Sequence, residues 1–208
     1  MVRHTVQQGE HLSALAEQYG FRGYAAIWDH PDNAELKQRR KNPHVLAPGD
    51  EVAIPEHAAK VVDLATGASH RIEVRGSKLT LRLVILDGSR HPRANESCTM
   101  AVEGAARPVT TDGDGKLERA ITPTDRRASV ELDEVEIPID IGSLDPVDRP
   151  SGWQARLINL GYLESPIDDE DDPEIRSAVE EFQCDYRISV TGRCDAATQQ
   201  KLVDAHGV

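Results

Sequence analysis

The hydrophobic pattern of this chain changes its period twice, and this excludes a fold built from one kind of element. Residues 12–19 carry apolar side chains at the spacing of one helix face, residues 79–85 alternate with a period of two, and residues 175–182 return to the helical spacing. The pattern therefore predicts an α+β multidomain chain. We predict three domains, at residues 1–56, 57–148 and 149–208.

Composition limits the classes of function that this chain can have. Its 208 residues carry a net charge of -12, which argues against a general nucleic-acid binder, because such proteins need a basic face for phosphates. The sequence has no apolar run long enough to span a membrane. Polar residues follow Met1 to Arg3 at once, so we expect synthesis in the cytoplasm without a signal peptide.

The first 55 residues predict a strand, two helices and a second strand. A glycine turn at Gly9 separates the first strand from a helix that Gly20 is placed to end. Pro31 ends a second helix, and "VLAPGDEVAIP" supplies a Pro-Gly turn followed by the closing strand. This order defines a compact βααβ unit.

The stretch "HTVQQGEHLSALAEQYG" resembles the opening of the LysM domain, and "NPHVLAPGDEVAIP" resembles its close. The resemblance implies binding of peptidoglycan or another N-acetylglucosamine-containing glycan in a shallow groove between two loops. One departure is the longer helical segment "HPDNAELKQRRK", which could reshape or cover the groove. On this sequence the glycan-binding residues would be Gly9, Glu10, His11, Leu12, Asn42, Pro43, His44, Val45 and Leu46.

The middle of the chain predicts a small β-sandwich. The run "KLTLRLVIL" alternates as a half-buried strand does, and "CTMAV", "KLERAI", "ASVEL" and "VEIPIDI" are further short strands separated by turn residues. The stretch from "LRLVILDGSRHPRANESCTMAV" to "TTDGDGKLERAI" resembles prealbumin-like or carboxypeptidase-regulatory-like β-domains.

The last 60 residues predict a three-helix bundle. Ser151 and Asp195 can cap the first and third helices, and Asp172 followed by Pro173 is a strong start for the second. The stretches "QARLINLGYLESPID" and "EIRSAVEEFQCDYRISVTGRCDAATQQKL" resemble the small peptidoglycan-binding domain of cell-wall hydrolases. The five acids Asp168 to Asp172 depart from that family's glycine-rich loop and offer a sugar little apolar surface.

The remaining candidate sites favour ordinary structural roles. We expect no catalytic residue, cofactor or metal, because no nucleophile motif or metal-ligand spacing is present. "DGDG" lacks the frame of a calcium loop and favours a β-turn. The basic cluster Lys37 to Lys41 favours a solvated helix face over a phosphate site, and Cys184 and Cys194 favour free thiols over a bridge.

The order of the modules resembles proteins that accompany the spike of type VI secretion and other contractile injection systems. This resemblance implies a non-catalytic adaptor that binds peptidoglycan and a spike or effector protein, with delivery to the periplasm or cell wall. Two alternatives stay open. One is a wall-directed toxin or hydrolase with an unrecognised active site, and the other is a structural protein whose modules bind protein instead of glycan.

Overall fold

A computed structural model describes residues 1–56, 62–71 and 79–208. The start of the predicted middle domain and Lys78 of the first predicted β-run lie outside the described residues. The chain divides into two compact units. The first unit comprises residues 1–81 and 120–125, and the second comprises residues 82–119 and 126–208. The predicted division into three domains stays a prediction.

The first unit contains two short strands that enclose the helical segments. Strand β1 (Val2–Thr5) pairs antiparallel with β2 (Glu51–Ile54), so the two ends of the segment meet. Between them lie α1 (Leu12–Gln18), α2 (Ala25–Trp28), a 3-10 helix (Pro31–Asn33) and α3 (Ala34–Arg40). The departure noted in the sequence, the segment "HPDNAELKQRRK", is therefore a 3-10 turn and a third helix.

Two buried polar groups tie these short elements together. The Asn33 side chain donates to the carbonyls of Ile27 and Ala53 and accepts from the Ala53 amide, each at 2.8 Å. Asp50 accepts from the Arg40 guanidinium at 2.6 and 2.9 Å and from the Ala47 amide at 2.9 Å. Burial opposes ionisation of Asp50, but these hydrogen bonds outweigh it and lower its pKa.

The β-strands of the middle segment form two sheets. Strand β3 (Leu79–Val84) pairs with β6 (Lys116–Ile121). A four-stranded sheet has the order β5-β4-β7-β8 and is antiparallel throughout. Its strands are β4 (Ser97–Val102), β5 (Ala105–Thr110), β7 (Arg127–Leu132) and β8 (Val135–Asp140). The alternating side chains of β4 and β7 bury one face of this sheet.

The C-terminal segment is helical. Helices α4 (Pro150–Asn159), α5 (Pro173–Asp185) and α6 (Ala196–His206) share one apolar core. The caps that the sequence predicts at α5 and α6 are present, since Asp172 accepts from the Glu174 amide and Asp195 accepts from the Thr198 amide. The predicted cap of α4 is wrong, because the helix begins at Pro150 and Ser151 instead bonds Asp145. None of the described helices is both long and apolar enough to cross a membrane.

Candidate functional site

The two loops predicted to form a glycan groove lie side by side in the first unit. The Leu12 amide donates to the Pro43 carbonyl at 3.1 Å, which joins the start of α1 to the loop before β2. The rings of His11 and His44 lie near one another at the same junction, with centroids 5.9 Å apart and planes tilted by 58°. The structure therefore brings together the two segments that were chosen from the sequence.

The first loop is held in shape by Glu10 and His11. The Glu10 carboxylate accepts from the Gln7 amide at 2.8 Å and from Nε2 of His4 at 2.7 Å. His11 is 4% exposed and caps α1, because its Nδ1 accepts from the Ala14 amide at 3.4 Å. Gly9 has a φ of 82°, and a Cβ built there meets no atom within 4 Å, so the turn opens to solvent.

The apolar residues assigned to the site do not line a groove. Leu12 is 0% exposed, Val45 7% and Leu46 5%, and Leu12 and Leu46 belong to the hydrophobic core of the first unit. The expectation that they supply apolar contact to a sugar is therefore incompatible with their burial. Leu12 and Leu46 are buried because α1 and the loop before β2 both pack against this one core.

Tyr24 supplies an aromatic surface that the sequence reasoning missed. Its ring meets the His44 ring edge to face, with centroids 5.1 Å apart, and both side chains are only partly buried. Burial also lowers the pKa of His44, so its imidazole is neutral at pH 7. Tyr24 directly precedes α2, and its sequence neighbours carry no signal that would place it beside residue 44.

The second loop is ordered by its own side chain. Asn42 Oδ1 accepts from the His44 amide at 2.8 Å, and the Val45 amide donates to the Asn42 carbonyl at 3.3 Å. Pro43 and His44 are thereby presented between two fixed ends. The partly exposed polar and aromatic residues of the two loops and of the neighbouring helix start are Glu10, Asn42, His44 and Tyr24.

Phe182 and Gln183, the most recognisable residues of the helical segment, have structural roles. Phe182 is 0% exposed in the core, and Gln183, also 0% exposed, reaches the loop before α6. Its Nε2 donates to Thr191 Oγ1, the Arg193 carbonyl and Thr198 Oγ1, and its Oε1 accepts from the amides of Thr191 and Gly192. The Phe182-Gln183 pair and the Thr191-Gly192 turn therefore form one structural motif.

The other sequence candidates have structural roles. Lys37 pairs with Asp29, while Arg39 and Arg40 pair with Asp50, so two carboxylates of the first unit offset part of the charge of the basic cluster. Trp28 and Trp153 are each 6% exposed and fill the two cores.

The "DGDG" segment is a turn closed by its first acid. Asp112 Oδ1 accepts from the amides of Asp114 and Lys116 at 2.8 and 2.9 Å, and these bonds lower its pKa. In the acidic run, Asp169 accepts from the Asp171 amide at 3.0 Å. Over residues 1–56, 62–71 and 79–208, no group of three or more His, Cys, Asp or Glu side chains could hold a metal ion.

The three cysteines are free thiols. Cys98 is buried in β4, and desolvation raises its pKa, which keeps it protonated at pH 7. Burial raises the pKa of Cys194 to about 12, with the nearby Asp195 charge adding to the effect. Cys184 is exposed, and the bridge between residues 184 and 194, left open in the sequence, is not formed.

Residues 153–202 match the protein family described as "Putative peptidoglycan binding domain". The match begins at the buried tryptophan of α4 and ends at Leu202, a core residue of α6. It covers the α5 core and the whole Gln183 motif, so the helical C-terminal segment is similar to this family, and the similarity supports peptidoglycan binding. No curated protein and no solved structure matches the chain.

Proposed function

We propose that this chain is a non-catalytic peptidoglycan-binding protein. The observation that carries the proposal is the family match at residues 153–202. The matched residues include the shared core of the three helices and the Gln183 motif. Sedimentation with insoluble peptidoglycan sacculi tests it directly. The purified chain should pellet with sacculi and stay in solution without them, and the turbidity of the sacculus suspension should not fall during the assay.

The segment at residues 1–56 of the first unit is proposed as a second, LysM-like glycan module. The support is the pairing of β1 with β2 around the helices and the direct contact between the Gly9–Leu12 and Asn42–Leu46 loops. Glu10, Asn42 and His44 would bond sugar hydroxyl and N-acetyl groups, and the Tyr24 ring would meet the apolar face of a sugar.

A pair of glycine substitutions tests this second module. Gly9→Trp should block access to the junction and weaken binding of a chitooligosaccharide by about tenfold or more, a loss near 1.4 kcal/mol. Gly20→Trp is the matched control, since Gly20 also has a positive φ of 77° and open space beyond its Cα. Asp169→Lys should leave chitooligosaccharide binding unchanged. Equal weakening by Gly9→Trp and Gly20→Trp would trace the loss to backbone strain and contradict the proposed groove.

We place the protein, within this proposal, as an accessory component of a type VI or other contractile injection system. The support is the order of the modules in the sequence, together with a spike or effector protein as the expected partner. Such a protein would be made in the cytoplasm and delivered to the periplasm or cell wall. Export that stops when the contractile sheath is deleted, and co-purification with a spike protein, are the expected results.

The competing functions give different results in the same assays. A wall hydrolase would lower the turbidity of sacculi, and the activity would survive repurification and disappear with one carboxylate or Cys98 substitution. Modules that bind protein instead of glycan would leave the chain in the supernatant with sacculi while it still co-purifies with a protein partner.

A further inference from the structure

The second unit contains a cavity of about 420 Å³ between the turn that follows β3 and the helical segment. The turn contributes one wall, and the α4–α5 connection and the end of α5 contribute the other. The lining residues are Leu86, Ser89, Arg90, His91, Leu160, Tyr162, Asp185 and Tyr186. Its volume lies within the roughly 300–1,000 Å³ typical of small-molecule sites.

The turn is closed by hydrogen bonds among its own residues. Asp87 Oδ1 accepts from the amides of Ser89 and His91 at 2.8 and 2.9 Å, and the Asp87 amide donates to the His91 carbonyl at 2.9 Å. These hydrogen bonds also lower the pKa of Asp87, so the closing carboxylate stays ionised well below neutral pH. The turn therefore presents residues 89–91 in one arrangement.

Arg90 fixes this turn against the helices. Its guanidinium pairs with Glu181 at 2.7 Å and Asp185 at 3.0 Å, and it lies 4.3 Å from the centre of the Tyr162 ring. The Tyr162 hydroxyl donates to the same Asp185 carboxylate at 2.9 Å. Because these groups already hold one another, binding requires little ordering of the cavity walls.

The cavity combines apolar surface with polar groups in the way that suits a sugar. Leu86 and Leu160 can meet the C–H face of a pyranose or an N-acetyl methyl group. The two tyrosine side chains line the same cavity, but the Arg90 guanidinium already lies over the Tyr162 ring. Asp185 can accept from hydroxyl groups, and Ser89 and the largely exposed His91 can donate or accept.

The charge of the site favours a neutral ligand over a peptide rich in carboxylates. Asp185 and Glu181 offset the single guanidinium of Arg90, and the chain as a whole carries a net charge of -12. A peptidoglycan stem peptide brings carboxylates of its own, which would be repelled here. The glycan backbone offers hydroxyl and N-acetyl groups without that cost.

We infer that this cavity binds one N-acetylated hexopyranose ring of the wall glycan. The inference rests on the proposed peptidoglycan binding and names its ligand class and its site in the second unit. It also makes the turn after β3 part of the binding surface, since Ser89 and His91 lie outside the family-matched residues 153–202.

The test is an NMR titration of the full chain with chitobiose, and in parallel with a free stem tetrapeptide. Chitobiose should shift the amides of residues 86–91, 160–162 and 185–186, with a dissociation constant on the order of millimolar. Ser89→Trp should fill the cavity and abolish these shifts. Ser177→Trp, an exposed position earlier on α5, is the matched control and should leave them unchanged.

Sacculus sedimentation of the same variants separates this inference from the proposed function. If the wild type pellets with sacculi but chitobiose moves only the amides of residues 9–12 and 42–46, the cavity is not a sugar site and the proposed function stands. Shifts of the cavity amides with tetrapeptide alone would overturn the sugar assignment. A wild type that neither pellets nor shifts would overturn both.

Discussion

Replacing Gln183 with methionine should strongly destabilise the helical segment. The Gln183 side chain is fully buried and joins α5 to the loop before α6 and to the first turn of α6, through the three acceptors and two amides described above. Methionine keeps a similar length and fills the same space, so the change removes polar partners without opening a large cavity. The effect should therefore measure the hydrogen bonds and not a packing defect.

The magnitude follows from the groups that lose their partner. The amides of Thr191 and Gly192 each lose the Gln183 acceptor, and an unsatisfied buried donor costs about 1–3 kcal/mol. Thr191 is exposed enough for water to replace part of the bond, whereas Gly192 is buried. Gly192 lies close against α5, since a Cβ added there would be 2.7 Å from Glu180 Oε1 and 2.9 Å from Arg176 Cγ. We expect a loss of about 2–4 kcal/mol in the free energy of unfolding.

Urea denaturation followed by tryptophan fluorescence measures this loss. The chain has two tryptophans, and Trp153 lies in the helical core, so a Trp28→Phe background makes the signal report on that core. Gln200→Met on the exposed face of α6 is the control and should change stability by less than about 0.5 kcal/mol. If Gln183→Met and Gln200→Met unfold at the same urea concentration, the hydrogen-bond reasoning is wrong.

Three further substitutions or conditions test the packing of both units. Gly152→Ala should destabilise by about 2 kcal/mol or more, because its Cβ would lie 1.9 Å from the Pro146 carbonyl oxygen, whereas Gly23→Ala meets open space and should be neutral by thermal denaturation. His206 has a pKa of about 4, lowered by burial and by Arg156. The unfolded chain therefore protonates this histidine at a higher pH than the folded chain does, and stability should fall by roughly 1–2 kcal/mol as pH drops from 7 to 5. His206→Gln should remove most of this pH dependence of stability in urea titrations. Asn33→Leu should cost about 2–4 kcal/mol, since it removes the Asn33 partner of both the Ala53 amide and the Ala53 carbonyl, and a cost below 1 kcal/mol would contradict the role assigned to this side chain.

The strands of the middle segment show where hydrophobic period and turn residues are enough to predict a strand and where they are not. The runs predicted as strands overlap β3, β4, β6, β7 and β8, because their alternation or their β-branched residues are visible locally. Strand β5, "AARPVT", was missed. It is an edge strand with a proline and with most side chains exposed, so its sequence shows neither alternation nor an apolar run.

Some features of the candidate site could be predicted from the sequence, and others could not. Gly9 and the two loops could be chosen from turn chemistry, because the residues that reverse a chain are local. The burial of Leu12 and Leu46 could not be read locally, since a leucine beside a turn can face either the core or solvent. The contact of Tyr24 with His44 joins segments 20 residues apart and depends on how α2 packs.

The sequence by itself determined most elements of this protein: helical periodicity at both ends, alternation in the middle, the caps of α5 and α6, and the residues that match a peptidoglycan-binding domain. These features depend on neighbours within about one or two helical turns. Only the tertiary structure decided that Gln183 bonds the loop at 191–193 and that Arg90 pairs with Asp185. It also decided that a cavity lies between the turn after β3 and the helical segment. Those contacts join residues far apart in the chain, and burial and pairing at such distances are properties of the packed fold.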